Sequence, residues 1–355
     1  MKESPNAYVC IIAGGSGERF WPMSRQRTPK HLLRLFSDRT LVEETVRRLE
    51  GVVPRVNIFV LTNTAQLEGT RTALGSLLPA AQIIAEPAKC DTAAAAALAT
   101  GLVRARHPQA VLALLPADAF IRDTATFAKQ LQAGLAHAAQ TTALLTFAIK
   151  PSHAATGFGY LEMGGPVADG SGFRRVVRFV EKPDAATAER YVASGNFAWN
   201  AGMFVWSAGA FLAEAEKHTP ALAAFIRAFP AGDPTTYLAA KFPALEPKVS
   251  VDYAIMEKAA AVETMLAEFD WDDVGLWTAL PAHLPADAAG NTTRGTMVSA
   301  GGAAHNIAVS TGRVIALVGV KDLVVVETAD AVLVCHRDAV GDIKKLMPHL
   351  PKDVL

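Results

Sequence analysis

The sequence predicts an α/β protein with a doubly wound, mostly parallel sheet and a small β-rich C-terminal domain. Three observations indicate this fold class. Apolar runs typical of buried parallel strands alternate with helical segments of about 10–15 residues. The first apolar run ends at a glycine-rich loop. After residue 285 the helical pattern gives way to short β-like runs. We therefore expect two domains, residues 1–285 and residues 286–355.

Five apolar runs are predicted to be strands of the main sheet. They cover residues 8–13, 57–62, 82–85, 110–115 and 142–149. Thr40 and Glu43 have the spacing of a capping box, which predicts a helix there. An Ala-rich helix is predicted to begin at Thr92, with Asp91 or Thr92 as its cap. The glycine-rich loop and Asp118 each follow a predicted strand, at the edge where such sheets bind ligands.

The C-terminal segment is predicted to be a short β-helix or a set of stacked hairpins. Its β-like runs cover residues 296–299, 314–318, 323–327 and 331–335. Residues 340–350 have a helical pattern and are predicted to end the domain as a helix. Because short edge strands need covering, this domain also suggests a homodimer.

Charge and composition exclude several classes of partner. Lys and Arg balance Asp and Glu at 34 each, so no global charge attracts nucleic acid or an anionic membrane. The longest apolar run, residues 92–103, is shorter than the roughly 20 residues that a bilayer span needs. Residues 1–6 have no apolar leader. Three scattered cysteines, which form no metal-binding pattern, favour a reducing cytoplasm.

The loop after the first strand has the composition of a phosphate-binding loop. Gly14, Gly15 and Gly17 let backbone N–H groups approach phosphate oxygens, and Arg19 adds a bidentate cation. It lacks the Gly-Lys-Ser/Thr of a P-loop, and Phe20 stands where a dinucleotide-binding fingerprint needs glycine. The second mismatch argues against a dehydrogenase. Taken alone, the loop is also compatible with an ordinary glycine turn and a surface arginine.

Residues 14–31, GGSGERFWPMSRQRTPKH, extend this loop into a longer motif. Arg25 and Lys30 add cations that can stabilise charge on a departing pyrophosphate. The motif resembles GGxGxRFWPxSRxxxPKQ of the mannose-1-phosphate guanylyltransferase family, with His31 in place of glutamine. The resemblance implies a Rossmann-like nucleotidyltransferase domain with a β-helical C-terminal domain. It also implies that Arg19 and Lys30 hold the triphosphate of GTP.

Residues 86–92, EPAKCDT, resemble the segment of that family that approaches the base and ribose. Glu86 is suited to accept from N1–H and N2–H of guanine, and Thr92 is the second expected nucleotide contact. Cys90 and Asp91 depart from the arginine and asparagine of the family. The alternative is that Glu86 is a solvated loop acid and Asp91 a helix cap.

Two aspartates are candidate ligands of Mg²⁺. Asp118 lies in PADA, which resembles the family's PADH with Ala119 in place of histidine, and Asp273 lies in WDDVGLW, which resembles WDDVGSW. Two carboxylates suffice because Mg²⁺ keeps waters and substrate phosphates as its other ligands. Asp272 competes with Asp273 for this role, and a single aspartate after a strand is often only a turn residue.

Three short segments resemble the sugar-phosphate side of the family's site. They supply Gly159 in TGFGY, Glu181 and Lys182 in EKP, and Asn200 in WNAGMF. Each motif is weak alone, and their occurrence in order is what gives them weight. A fourth segment, residues 250–258, also resembles the family, and its apolar spacing favours a structural role in a packed helix.

The sequence thus predicts a monofunctional enzyme that transfers GMP from GTP to mannose 1-phosphate, giving GDP-mannose and pyrophosphate. The chain ends before the cupin-like isomerase domain that some family members carry. Two alternatives stay open. One is the same chemistry on another nucleotide or sugar 1-phosphate, which the departures at Cys90, Asp91 and Ala119 allow. The other is a non-catalytic regulatory homologue that binds nucleotide sugar.

Overall fold

The computed structural model describes residues 6–355. Residues 1–5, which carry most of the stretch where no apolar leader is expected, lie outside the described part. Within residues 6–355, no helix combines the length and the apolar character that crossing a bilayer requires.

The main sheet has nine strands in the described chain. They are β1 (Ala7–Ala13), β2 (Ile58–Asn63), β3 (Ile83–Glu86), β4 (Val111–Pro116), β5 (Leu144–Ile149), β6 (Tyr160–Pro166), β7 (Arg174–Val180), β8 (Phe197–Ser207) and β9 (Val262–Leu266). Their order is β3-β2-β1-β4-β8-β5-β9-β7-β6, and β8 also pairs with β6. All five predicted strands are present, with their ends shifted by at most two residues.

Strand direction divides this sheet in two. Strands β1 to β4 are mutually parallel, as predicted for the part that carries the glycine-rich loop. Beyond them, β8 runs antiparallel to β4 and β5, and β6 and β7 form an antiparallel pair. The sheet is therefore parallel beside the glycine-rich loop and mixed from β8 to β6, whereas the sequence predicts a mostly parallel sheet.

Eight α-helices connect or flank these strands in the described chain. They are α1 (Leu41–Arg47), α2 (Leu67–Leu74), α3 (Asp91–Arg106), α4 (Thr124–Ala138), α5 (Ala185–Ser194), α6 (Ala208–His218), α7 (Pro220–Arg227) and α8 (Thr235–Lys241). The capping box of α1 is confirmed, because Thr40 Oγ1 accepts from Glu43 N and Glu43 Oε2 accepts from Thr40 N.

The predicted cap of α3 is wrong. The helix begins at Asp91, one residue early, and its N-cap position is Cys90, which makes no side-chain cap. Asp91 has a φ of 63° and its carboxylate accepts only from the neighbouring Thr92 N, so it does not reach the first turn as a cap would. The Thr92 hydroxyl instead accepts from Val251 N at 2.9 Å.

Alternate side chains of β1 enter two apolar cores, one on each face of the sheet. Tyr8 and Cys10 join the core that contains α3, whereas Val9 and Ile11 join the core that contains α4. Residues 93–103 of α3 are all buried, and their small side chains let this helix lie close to its neighbours. Helices on both faces confirm the doubly wound architecture.

The C-terminal part is built from six short strands in the described chain. They are β10 (Thr292–Arg294), β11 (Met297–Ala300), β12 (Ile307–Ser310), β13 (Ile315–Val318), β14 (Leu323–Glu327) and β15 (Val332–His336). They form two sheets, in the orders β10-β12-β14-β15 and β11-β13, and all pairs except β14–β15 are parallel. The chain thus passes between two sheets as it advances, which confirms a short β-helix rather than stacked hairpins.

The final segment differs in helix type from the prediction. It is a 3-10 helix, Arg337–His349, which starts three residues before the predicted α-helical segment. Its Val340 and Ile343 are buried in one cluster with residues of β14 and β15, and their spacing of three residues matches the period of a 3-10 helix.

Candidate active site

The glycine-rich loop leaves β1 and turns sharply at Gly17. Gly17 has a φ of 65°, and a Cβ on this residue would collide with the backbone and side chain of Lys30. A single 3-10 turn, Glu18–Phe20, follows and carries Arg19. The buried Phe20 ring packs on Trp277 with the ring centroids 4.8 Å apart. Sequence and packing therefore place Arg19 on a turn that is fixed at both ends.

Lys30 connects this loop to both candidate metal ligands. Its side chain is buried, and Nζ lies 2.9 Å from Asp118 Oδ2. The same ammonium donates to the main-chain carbonyl of Asp273. Asp118 follows β4, so the loop and the end of the neighbouring strand meet at one edge of the sheet, as the sequence predicts.

A two-residue β-bridge brings the two aspartate motifs together. Phe120 N donates to Asp272 O at 2.8 Å, and Asp272 N donates to Phe120 O at 3.0 Å. Asp118 lies two residues before this bridge and Asp273 one residue after it. Backbone pairing thus holds the two carboxylates in the same region although their motifs are far apart in sequence.

The environments of Asp272 and Asp273 differ. Burial raises the pKa of Asp272, but a hydrogen bond with His283 at 2.7 Å and one from Val274 N outweigh it, so the pKa is lowered overall. Burial raises the pKa of Asp273, Lys30 and Arg19 lower it, and Asp272 and Asp118 raise it further. The described residues give the Asp273 carboxylate no hydrogen-bond donor. Asp272 is therefore occupied in holding the loop, and Asp273 is the freer carboxylate.

Glu86 lies at the end of β3, beside the glycine-rich loop. Burial raises the pKa of its carboxyl to about 8. Oε1 is buried without a hydrogen-bond partner among residues 6–355. A Cβ on Gly14 would lie 3.8 Å from Oε2. Glu86 is thus a half-buried acid next to the loop with one buried carboxyl oxygen, so it is not the fully solvated loop acid of the alternative.

A cavity of about 260 Å³ lies between the loop and β8. Its lining includes Gly14, Gly15, His31, Thr92, Asp118, Gly202 and Asp252. Burial lowers the pKa of His31 to about 4, so the residue that replaces glutamine is a neutral group at this wall. Thr92 also lines this cavity, and its contact with a nucleotide stays a prediction.

The residues predicted for the sugar-phosphate side lie together. Asn200 N donates to Gly159 O at 2.8 Å. A Cβ on Gly159 would come within 2.6 Å of Glu181 Oε2, which explains the glycine. Lys182 Nζ lies 2.6 Å from Glu181 Oε1. Burial lowers the pKa of Lys182, but the contacts with Glu181 outweigh it and raise the pKa overall.

Asp252 is a site residue that the sequence analysis missed. Its Oδ1 accepts from Asn200 Nδ2 at 3.1 Å, and Asn200 Oδ1 accepts from Thr146 Oγ1 at 2.7 Å. Burial, with Glu181 nearby, raises the pKa of Asp252 to about 7. The residue opens a short π-helix, Asp252–Met256, an irregularity that is frequent at functional sites.

Residues 250–258 have the predicted structural role only in part. Ala254, Ile255 and Met256 are buried in the main core, as expected of a packed helix. Asp252 faces the cavity instead. The signal in the sequence is the single acid that interrupts the apolar pattern between Val251 and Ala254.

Two residues singled out by the sequence lie elsewhere. Arg25, predicted to face pyrophosphate, donates to the carbonyls of Pro22 and Ser24 and pairs with Asp330 of the C-terminal part at 3.0 Å. Cys90 is buried, with its thiol 3.5 Å from Phe242 O. Neither side chain joins the cluster around Lys30, because each is used in packing.

This fold and site define a class of protein. The parallel part of a mixed α/β sheet carries a glycine loop with a cation, a lysine bound to an aspartate, and a second aspartate beside them. This arrangement is typical of phosphate-binding sites at the carboxyl ends of parallel strands, as in proteins that bind nucleotides.

The comparison with protein families narrows the class. The profile described as nucleotidyl transferase matches residues 8–289. A second profile, described as a MannoseP isomerase/GMP-like beta-helix domain, matches residues 302–350. The chain belongs to the nucleotidyl transferase family.

Individual relatives match almost the whole chain. The mannose-1-phosphate guanylyltransferase of Escherichia coli K12 is 36% identical over 98% of this chain and 74% of its own length. The alginate biosynthesis protein AlgA of Pseudomonas aeruginosa is 35% identical over 97% of this chain and 71% of its own length. A solved structure from Thermus thermophilus, described as a mannose-1-phosphate geranyltransferase, has a TM-score of 0.87 and 29% identity, and covers 97% of this chain and 99% of that one.

Proposed function

We propose that the protein transfers GMP from GTP to α-D-mannose 1-phosphate and releases pyrophosphate. The observation that carries the proposal is the Lys30 ammonium held between Asp118 and the Asp273 carbonyl, next to the glycine loop. This arrangement suits triphosphate binding on one side of the cavity. The names of the relatives from E. coli and Vibrio cholerae support guanylyl transfer to mannose 1-phosphate.

Glu86 supports guanine as the base. A buried carboxyl oxygen without a partner is costly, and a ligand that donates to it relieves the cost and favours the ionised form. Guanine presents two donors, N1–H and N2–H, on one edge, whereas adenine presents an acceptor at N1. We infer that Glu86 selects guanine for this reason.

The chemistry requires positioning and charge stabilisation more than acid–base catalysis. A phosphate oxygen of the sugar phosphate attacks the α-phosphorus of GTP in line, the bond to the β-phosphate oxygen breaks, and pyrophosphate leaves. The nucleophile is already an anion, so no general base is needed. Arg19, Lys30 and the backbone N–H groups of Gly14, Gly15 and Gly17 hold the triphosphate and stabilise the departing charge.

Asp118 and Asp273 fit a Mg²⁺ ion. Each carboxylate interacts unfavourably with the other, and Asp273 has no donor of its own among the described residues. Two carboxylates suffice for this ion because Mg²⁺ takes phosphates and waters as its further ligands. When bound, Mg²⁺ would neutralise phosphate charge and orient the two substrates.

We infer that the sugar phosphate binds near Asp252, which lines the cavity and accepts from Asn200. Lys182 supplies a cation for its phosphate, and Glu181 an acceptor for its hydroxyls. Gly159 leaves room for the ring. Asn200, held by Thr146 and Asp252, has an amide proton left for a hydroxyl.

A coupled pyrophosphate-release assay tests the proposal. The protein is incubated with each of four nucleoside triphosphates and with the 1-phosphates of mannose, glucose and other hexoses. Highest kcat/KM with GTP and mannose 1-phosphate is the expected result. Highest kcat/KM with another pair would favour the same chemistry on other substrates. Binding of GDP-mannose without turnover would favour a regulatory homologue.

Further proposals concern the state of the protein in the cell. We infer a homodimer, because β15 is an edge strand with Val332 and Val334 more than half exposed. Sedimentation of only a monomer at micromolar concentration would contradict it.

A cytoplasmic location is supported by free thiols at Cys10, Cys90 and Cys335. The domain boundary near residue 285 stays a prediction, which limited proteolysis between residues 280 and 295 tests.

A further inference from the structure

The segment that follows Arg19 lies against the C-terminal β-helix. Residues 20–25, called here the loop shoulder, begin where the phosphate loop ends. Phe20 and Trp21 share one apolar cluster with Trp277, which follows Asp273 closely in sequence, and with Val324 and Val326 of β14. The β-helix therefore packs under the two motifs that supply the cations and the second aspartate.

Two hydrogen bonds fix the orientation of the loop shoulder in this packing. Trp21 Nε1 donates to Val354 O at 2.9 Å, and Trp277 Nε1 donates to Trp21 O at 3.4 Å. The shoulder is therefore held at Trp21 from two sides. Trp277 binds its carbonyl, and Val354 accepts from its ring. The C-terminal part therefore contacts the residues that directly follow Arg19.

Arg25 is the main polar connection of the shoulder. One side of its guanidinium donates to the carbonyls of Pro22 and Ser24, and Nη2 pairs with Asp330 Oδ1 at 3.0 Å. The Asp330 carboxylate is itself oriented by Thr328 Oγ1 at 2.8 Å. The guanidinium is planar, so orienting one edge orients the edge that holds the shoulder carbonyls.

We propose that Asp330 of the β-helix, acting through Arg25, is a positioning residue for nucleotide binding by the phosphate loop. The inference gives the C-terminal domain a part in the reaction and rests on the proposed function for its kinetic readout. Asp330 touches no substrate. Its effect is exerted on the position of Arg19 and Lys30, which lie at either side of the shoulder in sequence.

Folding stability alone does not account for such an effect. The Asp330 side chain is half exposed, and ion pairs of this kind contribute little to stability. Small displacements of phosphate-binding groups have a larger effect on binding and turnover. The two roles are therefore separable by experiment.

A matched ion pair provides the control. Arg294 of β10 pairs with Asp38 at the same distance of 3.0 Å, and it also connects the β-helix to the first domain. Asp38 lies outside the shoulder and contacts neither Arg19 nor Lys30. Asp38→Asn removes a connection between the same two parts of the chain without affecting the phosphate loop.

The test compares Asp330→Asn, Asp330→Glu and Asp38→Asn in the full chain. We expect Asp330→Asn to raise KM for GTP and the Kd of Mg·GTP roughly three- to tenfold, because the loop loses its register. KM for mannose 1-phosphate and Tm should stay near the wild-type values. Asp330→Glu should recover most of the affinity, and Asp38→Asn should match the wild type.

Equal Kd values for Mg·GTP in Asp330→Asn and Asp38→Asn would overturn the inference. A fall in Tm that accounts for the whole loss of activity would overturn it too. If the wild type binds Mg·GTP but shows no turnover with mannose 1-phosphate, the proposed function fails, and the Kd comparison still decides the role of Asp330.

Discussion

Lys30 Nζ lies 2.9 Å from Asp118 Oδ2 while it also donates to the Asp273 carbonyl. Lys30 thereby contacts both acidic motifs, at Asp118 after the end of β4 and at Asp273 within residues 271–277. The groups proposed for phosphate and metal binding are consequently assembled by the protein itself. Such preorganisation lowers the cost of ordering the site when substrates arrive.

Lys30→Met should reduce kcat/KM at least about 100-fold, since one preorganised charge on the leaving pyrophosphate is lost. Lys30→Arg keeps the charge and should retain more activity than Lys30→Met. The coupled pyrophosphate-release assay measures both. Near-normal kcat/KM in Lys30→Met would remove Lys30 from the proposed site.

The three aspartates should separate by phenotype. Asp118→Asn and Asp273→Asn should abolish Mg²⁺-dependent turnover. Asp273→Asn should leave Tm nearly unchanged, whereas Asp118→Asn should also lower Tm because buried Lys30 loses its ion pair. Asp272→Asn should instead lower Tm, because its carboxylate is bonded to His283 and Val274 N. Titrations of activity with Mg²⁺, together with thermal unfolding, measure the difference. An unchanged Mg²⁺ requirement in Asp273→Asn would assign the second ligand elsewhere.

Stability should depend on pH through Glu86. Its folded-state pKa of about 8 lies above the ordinary value of 4.5, so between these values the folded protein binds more protons than the unfolded chain. The free energy of unfolding therefore falls as pH rises through this window. Glu86→Gln removes this contribution.

The measurement is the difference in unfolding free energy between wild type and Glu86→Gln from pH 5 to pH 9. We expect the wild type to lose stability relative to the variant as the pH rises. The difference isolates Glu86 from Asp252, whose raised pKa acts in the same direction. A difference that does not change with pH would show that Glu86 is ionised throughout.

Glu86→Gln should also lose preference for GTP over ATP.

Gly17→Ala should destabilise the protein by about 1–3 kcal/mol, because a side chain there is strained at positive φ and collides with Lys30. Gly15→Ala is the matched control for folding. No atom lies within 4 Å of a Cβ at Gly15, so its Tm should not change. Urea unfolding measures both variants, and equal destabilisation would contradict the packing at Gly17.

Much of the site could be predicted from sequence because it is encoded locally. The motif from Gly14 to Lys30 is continuous in sequence, and its glycines directly follow β1. Asp118 follows a buried strand, and parallel strands bring their carboxyl ends to one edge. Local pattern and global topology therefore agree at these positions.

Other features depend on contacts that a single sequence does not reveal. Asp252 lies in an apolar segment, and only the packing of its π-helix beside β8 places it next to Asn200. Arg25 carries the charge expected of a phosphate ligand, but the β-helix offers it Asp330 instead. The predicted cap of α3 was wrong because the residue type alone does not reveal the positive φ of Asp91.

The central claim is guanylyl transfer with release of pyrophosphate, and ³¹P NMR of the complete reaction tests it most directly. With GTP, mannose 1-phosphate and Mg²⁺, the wild type should form GDP-mannose and pyrophosphate in equal amounts, and Asp118→Asn should form neither. Unchanged substrates with the wild type, or GDP and inorganic phosphate in place of GDP-mannose and pyrophosphate, would contradict the account.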